Sequence, residues 1–543
     1  MNRFHSLDKR TRRGARVASA LVLGTLFAAG VPAALEAQAG SSPKLTVMIV
    51  IDQFRQDVFE RYEPAFEHGF RRVLDEGFRY TQASHAHART STAPGHATLA
   101  TGVFPARHAI VANSWQQRRG FQWEQTYAVA DRESPITGFE NEPLLEGRSP
   151  ANMERESIAD WFAAAADGSR RVAISKKDRA AIPMGGLHTE NVYWVVPELD
   201  RFVTSNYYTD SYPRWLNGFN QRVMPKIVDP DVWENEVPEV HRSLARGDTA
   251  SYEGDGVNTW FPHVSATENA PDTSRMQHSV WGFDQPRADD AVVELAKVAI
   301  EELRLGQRDD QDFLAISLSA TDRVGHGYGP FSPEVMSTLV HVDRLLGDFF
   351  DHLDEEIGEG LWVVGISGDH GVATMPEYAQ EMGNRDAERV LIDEMRADLT
   401  TVLNGVARGG GSPDDIAERL ARATEDEGLV AAAYTHFELT KGMPTDSFAV
   451  LYRNSYFPGR AWSDLSRFGV DLRFGEGDYV GYQTGTSHES PYWYDRHVPI
   501  MLLGSGVFPG VSDAPVYTVD FAPTLAGLAG ILVPDDLDGR RIY

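Results

Sequence analysis

Three hydroxyls in a row, Thr90-Ser91-Thr92, run into Ala93-Pro94-Gly95-His96-Ala97 and a short apolar helical pattern that ends at Gly102. Proline suits the first position of a helix, which places Thr92 near the N-cap, where free backbone N–H groups and the helix dipole favour an anion. A hydroxyl held there is well sited to become an alkoxide. Taken alone, the segment is equally a Ser/Thr cap. Elsewhere, however, the chain carries acidic, imidazole and cationic side chains in the contexts that metal-assisted phosphoryl transfer needs. Asp52 ends an apolar run, Asp322 and His326 bracket Arg323-Val324-Gly325, Asp369 and His370 stand between glycines, and His488 closes Gly485-Thr486-Ser487-His488. The chain has no cysteine, so any metal must be held by these carboxylates and imidazoles.

The elements that must position these groups are buried strands. Leu45–Ile51, Val172–Ser175, Phe313–Leu318, Leu361–Ile366 and Val498–Leu503 are near-continuous apolar runs, as expected of strands covered on both faces in a parallel sheet. In open α/β sheets ligands bind beyond the carboxyl ends of the strands. Asp52 sits at that edge, as a metal ligand or as the cap of the next helix. Asp322 and His326, four apart around a glycine turn, can converge on one metal. Lys176-Lys177-Asp178-Arg179 follows the second run, and on an extended backbone Lys177 and Arg179 share a face, so two cations aim at one spot. Asn113 falls in loop-like sequence, where it either forms a turn or donates an amide N–H to a phosphoryl oxygen. Helical patterns cover about 288–305 and the stretch from Ser332-Pro333 to a stop at Gly358.

The chain of 543 residues, 42% hydrophobic and 24% charged, can bury a large core. Arg3, Lys9, Arg10, Arg12, Arg13 and Arg16 precede an apolar run from Val17 to about Leu35, and Ala37-Gln38-Ala39 fits a small-residue cleavage site. That is the pattern of a secretory signal peptide over 1–39 and predicts a periplasmic or secreted protein. The Arg12-Arg13 pair leaves the twin-arginine route open. No other stretch approaches the ~18 apolar residues of a membrane span. Loss of the six basic and two acidic residues of the leader would take the formal net charge from −28 to −32, which argues against a nucleic-acid partner. Two stretches lose the regular pattern and read as insertions, at about 187–281 and about 376–480.

Taken together, Asp52, Thr92 in Thr-Ala-Pro-Gly-His, Asn113 in Ala-Asn-Ser-Trp, Lys177 and Arg179 in Lys-Lys-Asp-Arg, Thr-Asp-x-Val-Gly-His, Ser-Gly-Asp-His-Gly and Gly-Thr-Ser-His resemble the alkaline phosphatase superfamily. The similarity is greatest to its periplasmic branch with a threonine nucleophile and a Lys-x-Arg pair, the PafA-like phosphatases. That resemblance implies a three-layer α/β/α sandwich with a mostly parallel central sheet, one catalytic domain over 43–543, and two zinc ions. One zinc would be held by Asp322, His326 and His488, the other by Asp52, Asp369, His370 and the Thr92 oxygen.

By the same likeness, Thr92 would attack phosphorus and give a phospho-threonine intermediate. Asn113, Lys177 and Arg179 would neutralise the phosphoryl oxygens of a small monoester dianion, with Arg179 able to bond bidentately. A diester gains little from two added cations, so the pair favours a monoester over the alternative of a nucleotide pyrophosphatase/phosphodiesterase on the same fold. Sulfatase relatives need a Cys or Ser before x-Pro-x-Arg, which Thr92-Ala93-Pro94-Gly95-His96 lacks. A non-catalytic zinc-binding protein with an idle hydroxyl is the alternative from another class.

Overall fold

The computed structural model describes residues 42–543 apart from 143, 255, 269–273, 443 and 445, so the leader pattern over 1–39 lies outside the described residues. Nine strands form the central sheet: β1 (Leu45–Ile51), β2 (Phe78–Tyr80), β3 (Arg171–Ser175), β4 (Asn191–Val196), β5 (Arg201–Val203), β6 (Asp312–Leu318), β7 (Trp362–Gly368), β8 (Ile500–Gly504) and β9 (Gly510–Ser512). Their order is β9-β2-β8-β7-β1-β6-β3-β4-β5. Only β8 and β5 run against the rest, so the sheet is mostly parallel.

Alternation along β1 sends Leu45, Val47, Ile49 and Ile51 into one hydrophobic cluster and Met48 and Val50 into another. All seven side chains are buried, each large one worth about 1.5–3 kcal/mol. The first cluster is closed by α3 (Arg287–Leu303) and α5 (Pro333–Glu356), through Leu295 and Leu346. The second is closed by α1 (Thr92–Thr101), α2 (Asp178–Gly185) and α6 (Phe521–Ala529), through Ala97, Ile182 and Leu525. This is the three-layer α/β/α sandwich. Ser332 caps α5 by accepting the Val335 N–H, as its Ser-Pro start predicts.

Register fixes where chemistry emerges. Ile51 pairs with Leu318 on β6 and with Gly368 on β7, and Ser317 pairs with Ser175 on β3. The residues that follow, Asp52, Ser319, Asp369 and Lys176, therefore leave the sheet at nearly one level. The 187–281 segment opens with β4 and β5 at the sheet edge. Within 376–480, helices Ile392–Ala407 and Pro413–Asp426 pack around a separate small core of Leu420, Leu465 and Val470. No helix among the described residues is long and apolar enough to cross a membrane.

Candidate active site

The sheet edge gathers the six predicted metal-type residues into one buried pocket. Asp322, His326 and His488 each offer a ligand atom within 4.8 Å of the others, and so do Asp52, Asp322 and His370. Asp369 joins them, its Oδ2 lying 3.4 Å from His370 Nε2, which is itself 3.4 Å from Asp52 Oδ1. Asp322 and His326 do not flank a turn. They lie on α4 (Ala320–Tyr328), where the i,i+4 spacing puts both on one helix face, His326 Nε2 standing 3.1 Å from Asp322 Oδ1.

Each imidazole is aimed by a backbone carbonyl. His370 Nδ1 donates to Gly371 O (2.9 Å), His326 Nδ1 to Thr486 O (2.9 Å) and His488 Nδ1 to Thr90 O (2.7 Å). A carbonyl only accepts, so Nδ1 carries the proton and Nε2 turns inward as a ligand. Burial, followed by the neighbouring His370 and His326, drives the His488 pKa well below its ordinary value and keeps that ring neutral. Burial and the charges of Asp322 and Asp369 raise the Asp52 carboxyl to about 6, against the pull of Lys177.

Among the described residues, Asp52 Oδ1 and His370 Nε2 are buried with no hydrogen-bond partner, and Asp369 Oδ2 faces them beside His96 Nδ1. Carboxylate and imidazole electron-pair donors buried this close together favour a cation held between them. The donor set of carboxylate oxygens and imidazole nitrogens therefore fits a divalent metal of the zinc type.

Thr92 opens α1, but as its first residue. Ser91 is the N-cap, in extended conformation with no side-chain cap bond, and Pro94 takes the third helical position, where a missing N–H still costs nothing. Asn113 Oδ1 accepts the Ala93 N–H at 2.8 Å, which ties the predicted amide to the start of α1, one residue from Thr92. Gly95 lets α1 touch the end of β7, because a Cβ there would lie 2.1 Å from Asp369 O.

The expected extended run over 177–179 is not formed. β3 stops at Ser175, Lys177 is the N-cap of α2 and Arg179 lies in its first turn, since Asp178 favours a helix N-terminus over a strand. Lys177 still reaches the pocket, its Nζ lying 2.5 Å from Asp52 Oδ2 and 2.6 Å from Asp322 Oδ2. Arg179 stands beside Tyr127 and Asp178. Burial would lower its pKa, but those two neighbours more than offset it, and its Nε is buried without a partner.

Three positioning residues escaped the sequence reading. Gln53, in left-handed conformation (φ 65°), donates its backbone N–H to Asp369 Oδ1 (3.1 Å) and its side-chain amide to Asp322 Oδ1 (2.9 Å), so one residue braces both carboxylates. His96 Nδ1 lies 2.8 Å from Thr92 O and 3.1 Å from Asp369 Oδ2, a contact foreshadowed only by its i,i+4 distance from Thr92. Asp289, in the first turn of α3, accepts the backbone N–H of Ser319 (2.6 Å) and Ala320 (3.2 Å) and seats the helix that carries Asp322.

A three-layer sheet whose strand ends collect carboxylates and imidazoles beside a helix-borne threonine defines the alkaline-phosphatase-like class. Residues 46–470 match the sequence profile of the type I phosphodiesterase / nucleotide pyrophosphatase family, and the chain belongs to that family. It is 28% identical to alkaline phosphatase PafA of Elizabethkingia meningoseptica, over 96% of this chain and 98% of that one. It is 30% identical to alkaline phosphatase PhoV of Synechococcus elongatus, over 93% of each chain. The crystal structure of wild-type PafA superposes with a TM-score of 0.82 at 26% identity, covering 92% of this chain and 98% of that one. The resemblance to the PafA-like branch of the alkaline phosphatase superfamily therefore holds along the whole described chain.

Proposed function

We propose that this protein is an exported phosphomonoesterase that hydrolyses small phosphate monoesters through a phospho-threonine intermediate on Thr92. Its similarity to several alkaline phosphatases supports the reaction class. The observation that carries the mechanism is the convergence of Asp52 Oδ1, Asp369 Oδ2 and His370 Nε2, with His96 Nδ1 placed between Asp369 Oδ2 and the Thr92 backbone carbonyl. Two zinc ions, one on Asp322, His326 and His488 and one on Asp52, Asp369, His370 and Thr92, would supply Lewis acidity toward the attacking and leaving oxygens of an in-line displacement. The residues of the chain do the rest.

Thr92 Oγ1 attacks phosphorus while the ester P–O bond breaks and the alcohol departs with a proton. Water then attacks the phospho-threonine and releases inorganic phosphate, which regenerates the hydroxyl. The N-terminus of α1, where Ser91 makes no cap bond, faces the developing charge. Asn113, Lys177 and Arg179 hold the phosphoryl oxygens: Lys177 already spans Asp52 and Asp322, and the Arg179 Nε is free to bond. The catalytic domain runs from 43 to 543, with the segments near 187–281 and 376–480 as insertions and the leader directing export to the periplasm or medium. With its acidic surface it has no nucleic-acid partner.

Hydrolysis of an aryl phosphate by the mature protein, with and without chelator, tests this. The parent should turn over, stop with chelator and recover with zinc, while Thr92→Ala should keep its zinc and lose at least about three orders of magnitude in rate. Zinc bound by a parent that hydrolyses nothing would mark a scavenging protein and end the proposal.

A further inference from the structure

A cavity of about 310 Å³ opens beside His488, and most of its wall comes from the 376–480 segment. Met395, Tyr452, Trp462 and Tyr479 line it from that segment, and Tyr492 and Tyr494 from the loop after His488. Most of its tyrosine hydroxyls are spent within the protein. Tyr452 donates to Leu472 O (2.7 Å), Tyr492 donates to Phe474 O (2.5 Å), and Tyr479 accepts the Tyr482 N–H (3.3 Å). What Tyr452 and Tyr492 offer a ligand is therefore ring carbon. Polar groups cluster at the inner end. There Arg89, bonded to Glu489 at 2.5 Å, keeps its Nε unpartnered, and the fully buried Asp495 keeps Oδ1 unpartnered.

Arg89 directly precedes the Thr90-Ser91-Thr92 hydroxyls, and His488 clusters with Asp322 and His326, the set to which the proposed mechanism does not assign Thr92. In-line displacement sends the departing oxygen to the side opposite the nucleophile. In the ligand sets proposed above Thr92 goes with Asp52, Asp369 and His370, so the departing side is that of Asp322, His326 and His488. His488 is the ligand residue that borders the cavity.

We propose that this cavity receives the alcohol portion of the ester and selects alcohols that carry an aromatic ring, a specificity that rests on the monoesterase reading above. A planar ring fits a volume at the small end of ligand pockets and stacks on Trp462 and the tyrosine faces. Neither Trp462 nor the tyrosines belong to the phosphoryl machinery, so ring selection and phosphorus chemistry are separable.

The experiment compares 2-phenylethyl phosphate with ethyl phosphate on the zinc-loaded full-length mature protein, two esters that release primary alcohols of similar acidity. The parent should prefer the phenylethyl ester by about tenfold or more in kcat/KM, the gain expected from burying and stacking one ring. Trp462→Ala should cut that preference to below about threefold while leaving ethyl phosphate unchanged, and Trp462→Phe should restore most of it. A parent ratio near one, or a Trp462→Ala that slows both esters equally, overturns the proposal. If neither ester is hydrolysed, the monoesterase reading fails by itself. Binding of 2-phenylethylphosphonate against ethylphosphonate then reads the cavity directly, with tighter binding of the ring compound supporting it and equal binding refuting it.

Discussion

Replacing Lys177 with methionine keeps the length of the side chain and removes its charge. The ammonium lies 2.5 Å from Asp52 Oδ2 and 2.6 Å from Asp322 Oδ2, and the residue is 6% exposed. In metal-free protein its loss leaves two buried carboxylates uncompensated, a penalty of about 3–5 kcal/mol. In the zinc-loaded enzyme that cost is covered by the metals, and what is lost is a donor to the phosphoryl group. One such preorganised donor is worth about 2.7–4 kcal/mol, or about 10²–10³ in rate. A monoester dianion presents one more charged oxygen than a diester, so the loss should fall on the monoester. The assay is kcat/KM for an aryl phosphate and for its methyl diester, with zinc content matched to the parent by elemental analysis. We expect a drop of about 10²–10³ on the monoester and less than about tenfold on the diester. Equal losses would refute the assignment and leave Lys177 as a clamp on the two carboxylates alone.

Gln53→Asn tolerates the left-handed backbone but is too short for Asp322, and should weaken zinc binding by about 10–100-fold in a chelator competition. Gly95→Ala forces a methyl to within 2.1 Å of Asp369 O, and should cost about 1–3 kcal/mol in the urea midpoint of the zinc-loaded protein. Burial raises the Asp289 carboxyl to about 7, against its backbone hydrogen bonds, so the folded state holds the proton more tightly than the unfolded chain. Its contribution to stability is complete below pH ~4 and is lost as pH rises through about 7. Asp289→Asn, which keeps the acceptor for Ser319 and Ala320, should flatten that fall in unfolding free energy between pH ~4 and ~7, and a slope identical to the parent's would show that Asp289 is not its source.

The strand ends were legible because an uninterrupted apolar run that stops at a charge has few alternatives in a chain of this length. β1 matches its run residue for residue, Asp52 follows it directly, and Asp369 and Lys177 lie within three residues of where their runs stop. Helix phase was less legible. Pro94 is compatible with several first-turn positions, since none of them has an N–H to lose, and the sequence reading chose the wrong one. Asp322 and His326 converge whether the backbone is a turn or a helix, so their pairing was read correctly with the wrong local structure. Gln53 carried no signal, because an uncharged amide one residue past a ligand is ordinary in sequence and reveals its double contact only in three dimensions. The aromatic cavity was hidden for a related reason: its wall is assembled from side chains scattered between Arg89 and Asp495, with no local pattern.

The 376–480 segment holds its two helices around Leu420, Leu465 and Val470, residues that belong to neither cluster packed on the main sheet. Mutational drift in that small core touches the main sheet only indirectly, through side chains such as Phe457 and Trp462, and the two parts can change at different rates. Descendants of such a chain could trade one preferred alcohol for another by remodelling a peripheral wall, while the threonine and its ligands stay untouched.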